Sequence, residues 1–267
     1  MKGDLHIHSS ISDCNYSIEE IIKKAKENDI THISITDHDT ILGLEKTLEY
    51  GKKYGVSIIP GIEISAYDFK RGRKVHILGY KNLGENVKNL CKDIPKKRED
   101  LSKRFFDEIK SKGYNISWER IKKNSGETGV FKQHIVLDLI RNGYTKEIYG
   151  DLYQLLFKKE TSIKDMEYID VYEAIKAIKE DGGVAIMAHP AIYKNEELIE
   201  ELIPYGLDGI EIYHPKHSLE NINLLEKIAK KNNLLITGGT DFHGDVDSKY
   251  IEIGSFYTPI KTLDKLF

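Results

Sequence analysis

Short apolar segments that read as β-strands alternate with amphipathic helical segments along most of this chain. Strands are predicted at 4–8, 31–36, 56–64, 74–80, 184–188, 208–213 and 234–238, and helices at 18–28, 41–53, 170–180, 195–203 and 218–231. A strand–helix–strand order is typical of parallel sheets, and about seven such units can close into a barrel. The length of 267 residues suits a single α/β barrel.

The alternation stops between residues 95 and 165, where the sequence is helical without a convincing strand. We predict that 1–94 and 166–267 form the barrel and that 95–165 is a helical insertion over its mouth, placed to act as a lid or substrate clamp. The first part of the insertion, 95–123, carries ten Lys and Arg against five Asp and Glu. This excess could bind the phosphates of a nucleotide or short RNA, or it could be the solvated face of amphipathic helices.

Composition limits the classes of protein to consider. The net charge is −3 and the pI about 6.4, so the surface as a whole is not built for nucleic acid, and local basic groups or metal ions must attract any anionic substrate. The apolar runs are far shorter than a membrane span, and no signal-peptide pattern follows Met1. Two cysteines, Cys14 and Cys91, form no disulfide framework. We therefore expect a cytoplasmic protein without a membrane partner, of open oligomeric state.

Six of the ten histidines belong to short motifs in which an apolar, strand-like run meets a polar loop, and most of them have an acidic neighbour: His6, His8, His38, His76, His189 and His243. His6 and His8 are two residues apart in a strand and so face the same side, and Asp241 and His243 are spaced in the same way. In α/β barrels the catalytic residues gather at the carboxyl ends of the strands. One histidine at a strand end is usually structural, whereas so many ligand-type residues at strand ends predict a polynuclear metal site.

Acidic residues accompany these histidines. Glu63 ends the segment Ile-Pro-Gly-Ile-Glu, where one carboxylate could bridge two cations held about 3.5–4 Å apart. Asp37 and Asp39 flank His38, and one of them could orient its ring. His76 lies inside a predicted strand, so a packed core histidine is an alternative to ligation.

These motifs resemble those of the PHP (polymerase and histidinol phosphatase) superfamily of metal-dependent phosphoesterases. They are Asp-Leu-His-Ile-His-Ser (4–9), Ile-Thr-Asp-His-Asp-Thr (35–40), Pro-Gly-Ile-Glu-Ile-Ser (60–65), His-Ile-Leu-Gly-Tyr (76–80), Ala-His-Pro (188–190) and Gly-Thr-Asp-Phe-His-Gly (239–244). They occur in the family's order and span the chain. The resemblance implies a distorted (β/α)7 barrel with a helical insertion and a trinuclear metal centre.

The resemblance also implies which residues bind three divalent ions. The first ion would take His6, His8, Glu63 and Asp241; the second Glu63, His76 and His189; and the third Asp13, His38 and His243. No ligand of the family pattern is missing. Imidazole and carboxylate ligands suit Mn, Fe or Zn better than Ca, and the sequence does not choose among these three.

The chain most resembles the branch that contains nucleoside 3′,5′-bisphosphate phosphatases and 5′-to-3′ exoribonucleases acting on short RNA. The helical insertion, the segment Phe-Lys-Gln-His (131–134) and the segment Glu-Ile-Tyr-His-Pro-Lys-His (211–217) carry this resemblance. It implies substrate contacts from Lys132, His134, Arg141, Tyr213, His214 and His217, although a surface or loop role is the alternative for each histidine and for Arg141. Lys132 stands where the family often has Arg, so the charge is kept but the bidentate geometry is lost.

The hypothesis that follows is hydrolysis of a phosphate ester of a nucleotide or short RNA by a hydroxide that bridges two metal ions. Glu63 and Asp241 would act as catalytic ligands, and His134 or His214 would protonate the leaving oxygen. One alternative is a phosphatase for histidinol phosphate or another small monoester, against which the helical insertion argues. Another is a non-catalytic module that binds nucleotide or RNA, against which the complete ligand set argues.

Overall fold

The structure is a computed structural model that describes residues 1–246 and 251–266. The strands in this part are Gly3–Ile7 (β1), His32–Ile35 (β2), Ser57–Ile58 (β3), Gly61–Asp68 (β4), Arg73–Tyr80 (β5), Ile169–Asp170 (β6), Val184–Met187 (β7), Leu207–Tyr213 (β8) and Leu235–Gly238 (β9). The α-helices are Ile18–Glu27 (α1), Leu44–Tyr54 (α2), Glu85–Cys91 (α3), Ile94–Ser111 (α4), Trp118–Lys123 (α5), Lys132–Arg141 (α6), Asp151–Gln154 (α7), Val171–Glu180 (α8), Glu196–Leu202 (α9), Leu219–Asn232 (α10) and Ile260–Leu266 (α11).

Local sequence explains why the predicted helices form where they do. Ser17 caps α1, and its hydroxyl accepts from the amide of Glu20 while the Glu20 carboxylate accepts from the amide of Ser17. The buried face of α1 carries apolar residues at helical spacing, namely Ile18, Ile21, Ile22 and Ala25. Ser218 begins α10 with the same reciprocal arrangement. The N-cap and the apolar spacing together specify where α1 forms and which face it buries.

The strands form two sheets. One has the order β1-β2-β3 and the other the order β6-β4-β5-β7-β8-β9. Isolated bridges join the two sheets at Ile7 with Phe242 and at His38 with Glu63. The mixed α/β class is confirmed, whereas closure into a seven-unit barrel stays a prediction.

The expectation of a uniformly parallel sheet is wrong for β5. This strand pairs antiparallel with both β4 and β7, while β7, β8 and β9 pair parallel with one another. Only residues 69–72 separate β4 from β5, too few for the helical crossover that a parallel pair needs. The predicted strand 56–64 is also two strands, because Pro60 lies between β3 in one sheet and β4 in the other.

Helices α4 to α7 and a π-helical turn at Leu155–Lys159 make up the segment predicted as an insertion. They share a cluster of buried apolar side chains that includes Phe105, Ile109 and Leu139. The Thr128 amide donates to the Ile11 carbonyl at 3.1 Å, which fixes the segment to the loop after β1. The boundaries 95 and 165 remain a prediction. Within the residues described, we find no helix with the length and apolar character that a membrane crossing requires.

Candidate metal centre

The fold brings all nine predicted ligands to one place. His6 belongs to β1, Glu63 to β4 and His76 to β5, while the other six follow the ends of strands. Those six are His8 and Asp13 after β1, His38 after β2, His189 after β7, and Asp241 and His243 after β9. Strands that are far apart in sequence therefore deliver their ligands to the same edge of the two sheets, as expected for an α/β protein.

Glu63 lies at the centre of this group and is 1% exposed. Its Oε1 lies 2.8 Å from Nδ1 of His76, 3.0 Å from Nε2 of His189 and 3.4 Å from Nε2 of His6. Its Oε2 lies 3.0 Å from Nδ1 of His38 and 3.3 Å from Nε2 of His8. Each oxygen thus faces a different set of imidazoles, which is the arrangement that a bridging carboxylate needs.

Three groups of ligand atoms converge closely enough to hold a cation, with all atoms of a group within 4.8 Å of one another. The groups are His6, His8, Glu63 and Asp241; His8, Asp13, His38 and His243; and His38, Glu63 and His76. Nε2 of His6 and Nε2 of His8 are buried and lack a hydrogen-bond partner within the described parts of the chain.

The spacing of these atoms fits shared cations. Both Nε2 atoms lie 3.3–3.4 Å from carboxylate oxygens of Glu63 and Asp241. Donors about 2.1 Å from a common ion at tetrahedral angles are separated by roughly 3.4 Å. The donor set therefore fits divalent ions.

The grouping differs in detail from the one implied by the sequence. His38 was expected only with Asp13 and His243, yet its Nδ1 lies 3.0 Å from Glu63 and its Nε2 lies 3.9 Å from Asp13. His189 was expected with His76, and it reaches the same oxygen of Glu63 without joining a converged group.

Buried charges of opposite sign stabilise one another here. Burial alone would raise the pKa of the Glu63 carboxyl, but the imidazoles of His76, His38 and His6 hold it well below its usual value. Burial alone would lower the pKa of His6, but the carboxylates of Glu211, Glu63 and Asp241 raise it well above the ordinary range. Without cations the ligands thus pair with each other, and a bound ion would replace the proton on an imidazole.

Glu211 positions two of the predicted ligands, and it was not among the functional residues predicted from the sequence. It is fully buried in β8; its Oε1 accepts from Nδ1 of His6 at 3.0 Å, and its Oε2 accepts from the amide of His189 at 2.9 Å. This fixes the His6 tautomer so that Nε2 faces the other ligands. An acidic residue inside the apolar run Leu-Asp-Gly-Ile-Glu-Ile-Tyr (207–213) was the available signal.

The two acids that flank His38, Asp37 and Asp39, accept hydrogen bonds from neighbouring segments and not from the His38 ring. Asp37 accepts from the amide and hydroxyl of Ser9 at 2.8 and 2.6 Å and from the hydroxyl of Ser12 at 2.6 Å. Asp39 accepts from the amide of Ser65 at 2.7 Å and pairs with Arg98 of α4. The expectation that one of them orients His38 is therefore wrong, because both carboxylates are used to join neighbouring segments.

Three residues of the site region adopt left-handed backbone conformations. The φ angles are +26° at His189, +51° at Asp241 and +55° at Asp39. Non-glycine residues adopt such angles rarely and at a cost of order 1–3 kcal/mol, and they cluster at functional sites. The surrounding hydrogen bonds, such as the 2.8 Å bond from the Asp241 amide to the His6 carbonyl, hold them there.

The predicted substrate contacts among residues 213–217 form hydrogen bonds with different parts of the protein. His214 is buried, accepts at Nδ1 from the amide of Lys216 at 3.1 Å and donates from Nε2 to Asp241 at 3.3 Å, so it orients a predicted ligand. His217 donates from Nδ1 to the carbonyl of Ile212 at 2.8 Å. Tyr213 donates its hydroxyl to Glu226 of α10 at 2.8 Å, on the helical layer.

The predicted contacts from α6 are separated along the helix. Lys132 begins α6 with a mostly buried side chain and lies 3.3 Å from Asp165. His134 is buried, and its Nδ1 accepts from the amide of Phe131 at 3.0 Å; burial lowers its pKa to about 4. Arg141 ends the helix about 14 Å from Lys132, at 1.5 Å per residue, and donates to Asn124 at 3.2 Å.

Two cavities open at the metal centre. The first, of about 340 Å³, is lined by predicted ligands including Glu63, His76 and Asp241, together with Tyr193 and Gln133. The second, of about 190 Å³, is lined by Lys132 and by residues that sequence reasoning missed, among them Lys74 and Arg98. Lys132 thus lies beside the metal centre. The other five predicted substrate contacts are outside both linings, namely His134, Arg141, Tyr213, His214 and His217.

The chain matches the family model described as "PHP domain" over residues 4–189. It is 36% identical to phosphoribosyl 1,2-cyclic phosphate 1,2-diphosphodiesterase of Eggerthella lenta over 91% of this chain and 95% of that protein. It is 28% identical to a 5′-3′ exoribonuclease of Haemophilus influenzae over 95% of this chain and 93% of that protein. It is 25% identical to 3′,5′-nucleoside bisphosphate phosphatase of Chromobacterium violaceum over 90% of this chain and 86% of that protein.

A solved structure also resembles this chain. A protein of Bifidobacterium adolescentis assigned as a metal-dependent phosphoesterase superposes with a TM-score of 0.89 at 25% identity, over 99% of this chain and 94% of that one. The two proteins therefore share the same fold. The chain belongs to the PHP-domain family and is a phosphoesterase that binds divalent metal ions.

Proposed function

We propose that this enzyme hydrolyses phosphate esters of nucleotides, either 3′,5′-bisphosphates or the 5′ ends of short RNA, with three divalent ions (Mn, Fe or Zn) in the nine-ligand centre. The observation that carries the proposal is the position of Glu63, whose two oxygens face different imidazoles, beside a cavity lined by Lys74, Arg98 and Lys132. Relatives named for a bisphosphate phosphatase and an exoribonuclease support the substrate class.

His6, His8, Glu63 and Asp241 would hold one ion, and the groups around Asp13 and His76 would hold the others. Bound cations act as Lewis acids on phosphoryl oxygens and lower the pKa of a coordinated water. The protein positions this chemistry: Glu211 fixes the orientation of His6, and His214 fixes that of Asp241. Gln133 donates to Asp13 at 3.3 Å and lines both cavities, so it restricts the path of the substrate.

Lys132 is the cation that we assign to the substrate phosphate, since it lines the cavity next to the centre. For protonation of the leaving oxygen the candidates stay His214 and His134, neither of which is among the residues that line the two cavities. The Nε2 of His214 already donates to Asp241, whereas His134 accepts a backbone hydrogen bond at the start of α6.

A second candidate is hydrolysis of a cyclic phosphodiester of phosphoribose. The specific observation is the 36% identity with the Eggerthella lenta cyclic phosphate diphosphodiesterase, which covers nearly the whole of both chains. Such a substrate also carries one phosphate at the reacting position and another elsewhere on the sugar.

The test is a comparison of kcat/KM on adenosine 3′,5′-bisphosphate, a short 5′-phosphorylated RNA and phosphoribosyl 1,2-cyclic phosphate, with the Mn-loaded enzyme. Preference for either of the first two supports the nucleotide assignment, and preference for the third supports the second candidate. Glu63→Gln serves as the control, because it removes the bridging charge and is expected to abolish turnover of all three. Activity that Glu63→Gln leaves unchanged would contradict a bridged metal centre.

A further inference from the structure

Tyr193 lies on the wall that the two cavities at the metal centre share. Its side chain is half-buried and belongs to the lining of both cavities. The ring packs at steep angles against two predicted ligands, with its centroid 5.3 Å from that of His76 and 5.7 Å from that of His189. A phosphate ester bound with its phosphorus in the first cavity and its organic group in the second would place its leaving oxygen near this wall.

The hydroxyl of Tyr193 is an uncommitted donor. It has no hydrogen-bond partner within residues 1–246 and 251–266, and it is not sealed off from solvent, so it opens into the cavities. The charges that act on it come from Glu63 and Asp241 of the predicted centre and from Lys74 of the second cavity. Burial raises the pKa of this phenol, which therefore carries its proton at neutral pH.

The loop that carries Tyr193 is fixed by hydrogen bonds. Pro190–Ile192 forms one turn of 3-10 helix directly before it. Asn195 is buried, and its backbone amide donates to the Pro190 carbonyl at 3.0 Å while its side-chain amide donates to the Lys74 carbonyl of β5 at 2.7 Å. The phenol is therefore preorganised, and a preorganised donor needs no rearrangement when charge develops beside it.

The other donors of the metal-centre cavity are placed differently. Apart from the predicted ligands, the lining offers Gln133, Tyr149 and Lys216. Gln133 and Lys216 each lie against the carboxylate of a predicted ligand, at 3.3 and 3.7 Å. Tyr149 is 45% exposed and lies towards solvent. Tyr193 is therefore the donor best placed to face a leaving oxygen inside the cavity.

We propose that the Tyr193 hydroxyl donates a hydrogen bond to the leaving oxygen of the substrate and stabilises the negative charge that develops there as the bond to phosphorus breaks. The leaving oxygen keeps the electron pair of the broken bond, while the phenol keeps its own proton and is unchanged at the end. The inference rests on the proposed function, since it assumes that the metal centre takes the reacting phosphate. It makes Tyr193 a catalytic residue for esters with a basic leaving oxygen, such as the sugar oxygen of a nucleotide.

The experiment compares esters that differ in the basicity of the leaving oxygen, on the metal-loaded enzyme. Adenosine 3′,5′-bisphosphate releases a basic sugar oxygen, whereas p-nitrophenyl phosphate releases a stable anion. Tyr193→Phe is expected to lower kcat on the bisphosphate about 100–1,000-fold, the usual cost of removing one donor to a developing negative charge. The loss of kcat on p-nitrophenyl phosphate should be at least about tenfold smaller. KM should stay near the wild-type value, because the hydrogen bond strengthens only in the transition state.

Two measurements separate this role from a structural one. Tyr193→Phe keeps the ring that packs against His76 and His189, so the Kd for Mn should equal that of the wild type. Tyr172→Phe is the matched control, because it removes a phenolic hydroxyl that donates to Glu201 at 2.7 Å, outside both cavities. It should leave kcat on both esters unchanged.

A kcat on the bisphosphate that Tyr193→Phe leaves unchanged, or equal losses on the two esters, would overturn the role of Tyr193. An enzyme with full metal content that turns over p-nitrophenyl phosphate but no nucleotide would overturn the proposed function instead. Ethyl phosphate, whose leaving oxygen is also basic, then decides the inference: a selective loss in Tyr193→Phe supports it, and equal rates refute it.

Discussion

Glu211 uses both of its carboxylate oxygens to position the predicted metal ligands His6 and His189. Replacing it with Gln keeps the shape but removes the charge, and the amide can no longer accept at both positions. We expect Glu211→Gln to weaken metal binding about 10–100-fold, the usual cost of losing a group that orients a ligand. Metal titration followed by elemental analysis measures the effect.

The matched control for this prediction is Glu226→Gln. Glu226 accepts a hydrogen bond from Tyr213, which is not one of the nine predicted ligands. It should leave metal affinity unchanged. Equal affinities in both variants would mean that Glu211 plays no part in positioning His6.

The lowered pKa of Lys132 predicts that substrate binding weakens at alkaline pH. Burial lowers its pKa to about 8, partly offset by the charge of Asp165. A lysine is positive below its pKa, so attraction for a substrate phosphate is present below about pH 8 and is lost as the pH rises through that value. Arg stays charged throughout this range. We therefore expect KM for the bisphosphate to rise above pH 8 in the wild type, and this rise to move to higher pH in Lys132→Arg.

Steady-state kinetics between pH 6 and 10 check this expectation, with Lys103→Arg as the control for a general effect of arginine. A rise in KM at the same pH in the wild type and in Lys132→Arg would assign the titration to another group.

The end of β9 passes directly against β1. A Cβ added at Gly239 would lie 2.4 Å from the Cβ of His6 and 2.5 Å from its backbone nitrogen. Gly239→Ala must therefore displace one of the strands that carry ligands. We expect a loss of about 1–3 kcal/mol in the free energy of unfolding, as for other overpacked sites, together with weaker metal binding.

Urea denaturation and metal titration measure the two effects of Gly239→Ala. Gly43→Ala is the comparison, because the nearest atom to its added Cβ is the flexible Cδ1 of Ile18, at 2.9 Å, and no ligand is near. If the two variants bound metal equally well, the contact between β9 and His6 would not matter for the site.

Helices and strand ends could be predicted from sequence because their signals are local. Ser17 with Glu20 marks the start of α1, and apolar runs followed by His38 or His189 mark the ends of β2 and β7. The antiparallel pairing of β5 was not predicted, because the direction of a strand in a sheet depends on the length of the connection and on long-range contacts. The same holds for Glu211 and Arg98, whose roles depend on which distant segments fold against them.

The candidate centre joins both sheets. The small sheet contributes His6 and the large sheet contributes Glu63 and His76. A cation bound at this junction should stabilise the folded chain against unfolding. At a free concentration 100 times its Kd, one ion adds about 2.7 kcal/mol, which raises Tm by roughly 5–10 °C for a domain of this size.

Differential scanning calorimetry before and after chelation tests this effect. Removal of metal should lower Tm, and addition of Mn should restore it. A Tm that does not change, with metal loss verified by elemental analysis, would show that the ions are not linked to folding. The convergence of the nine predicted ligands could be expected from their motifs, whereas their division among ions could not, because His38 faces both Asp13 and Glu63.

The hairpin of β4 and β5 has a consequence for synthesis on the ribosome. It places Glu63 and His76 within a local pairing that closes early, since its contacts have low sequence separation. Six of the nine predicted ligands lie in residues 1–80. A nascent chain of that length already contains Glu63 and four of the six histidines among the predicted ligands. The last three, His189, Asp241 and His243, would then dock onto a preformed half-site, so the order of the motifs along the chain is also an order of assembly.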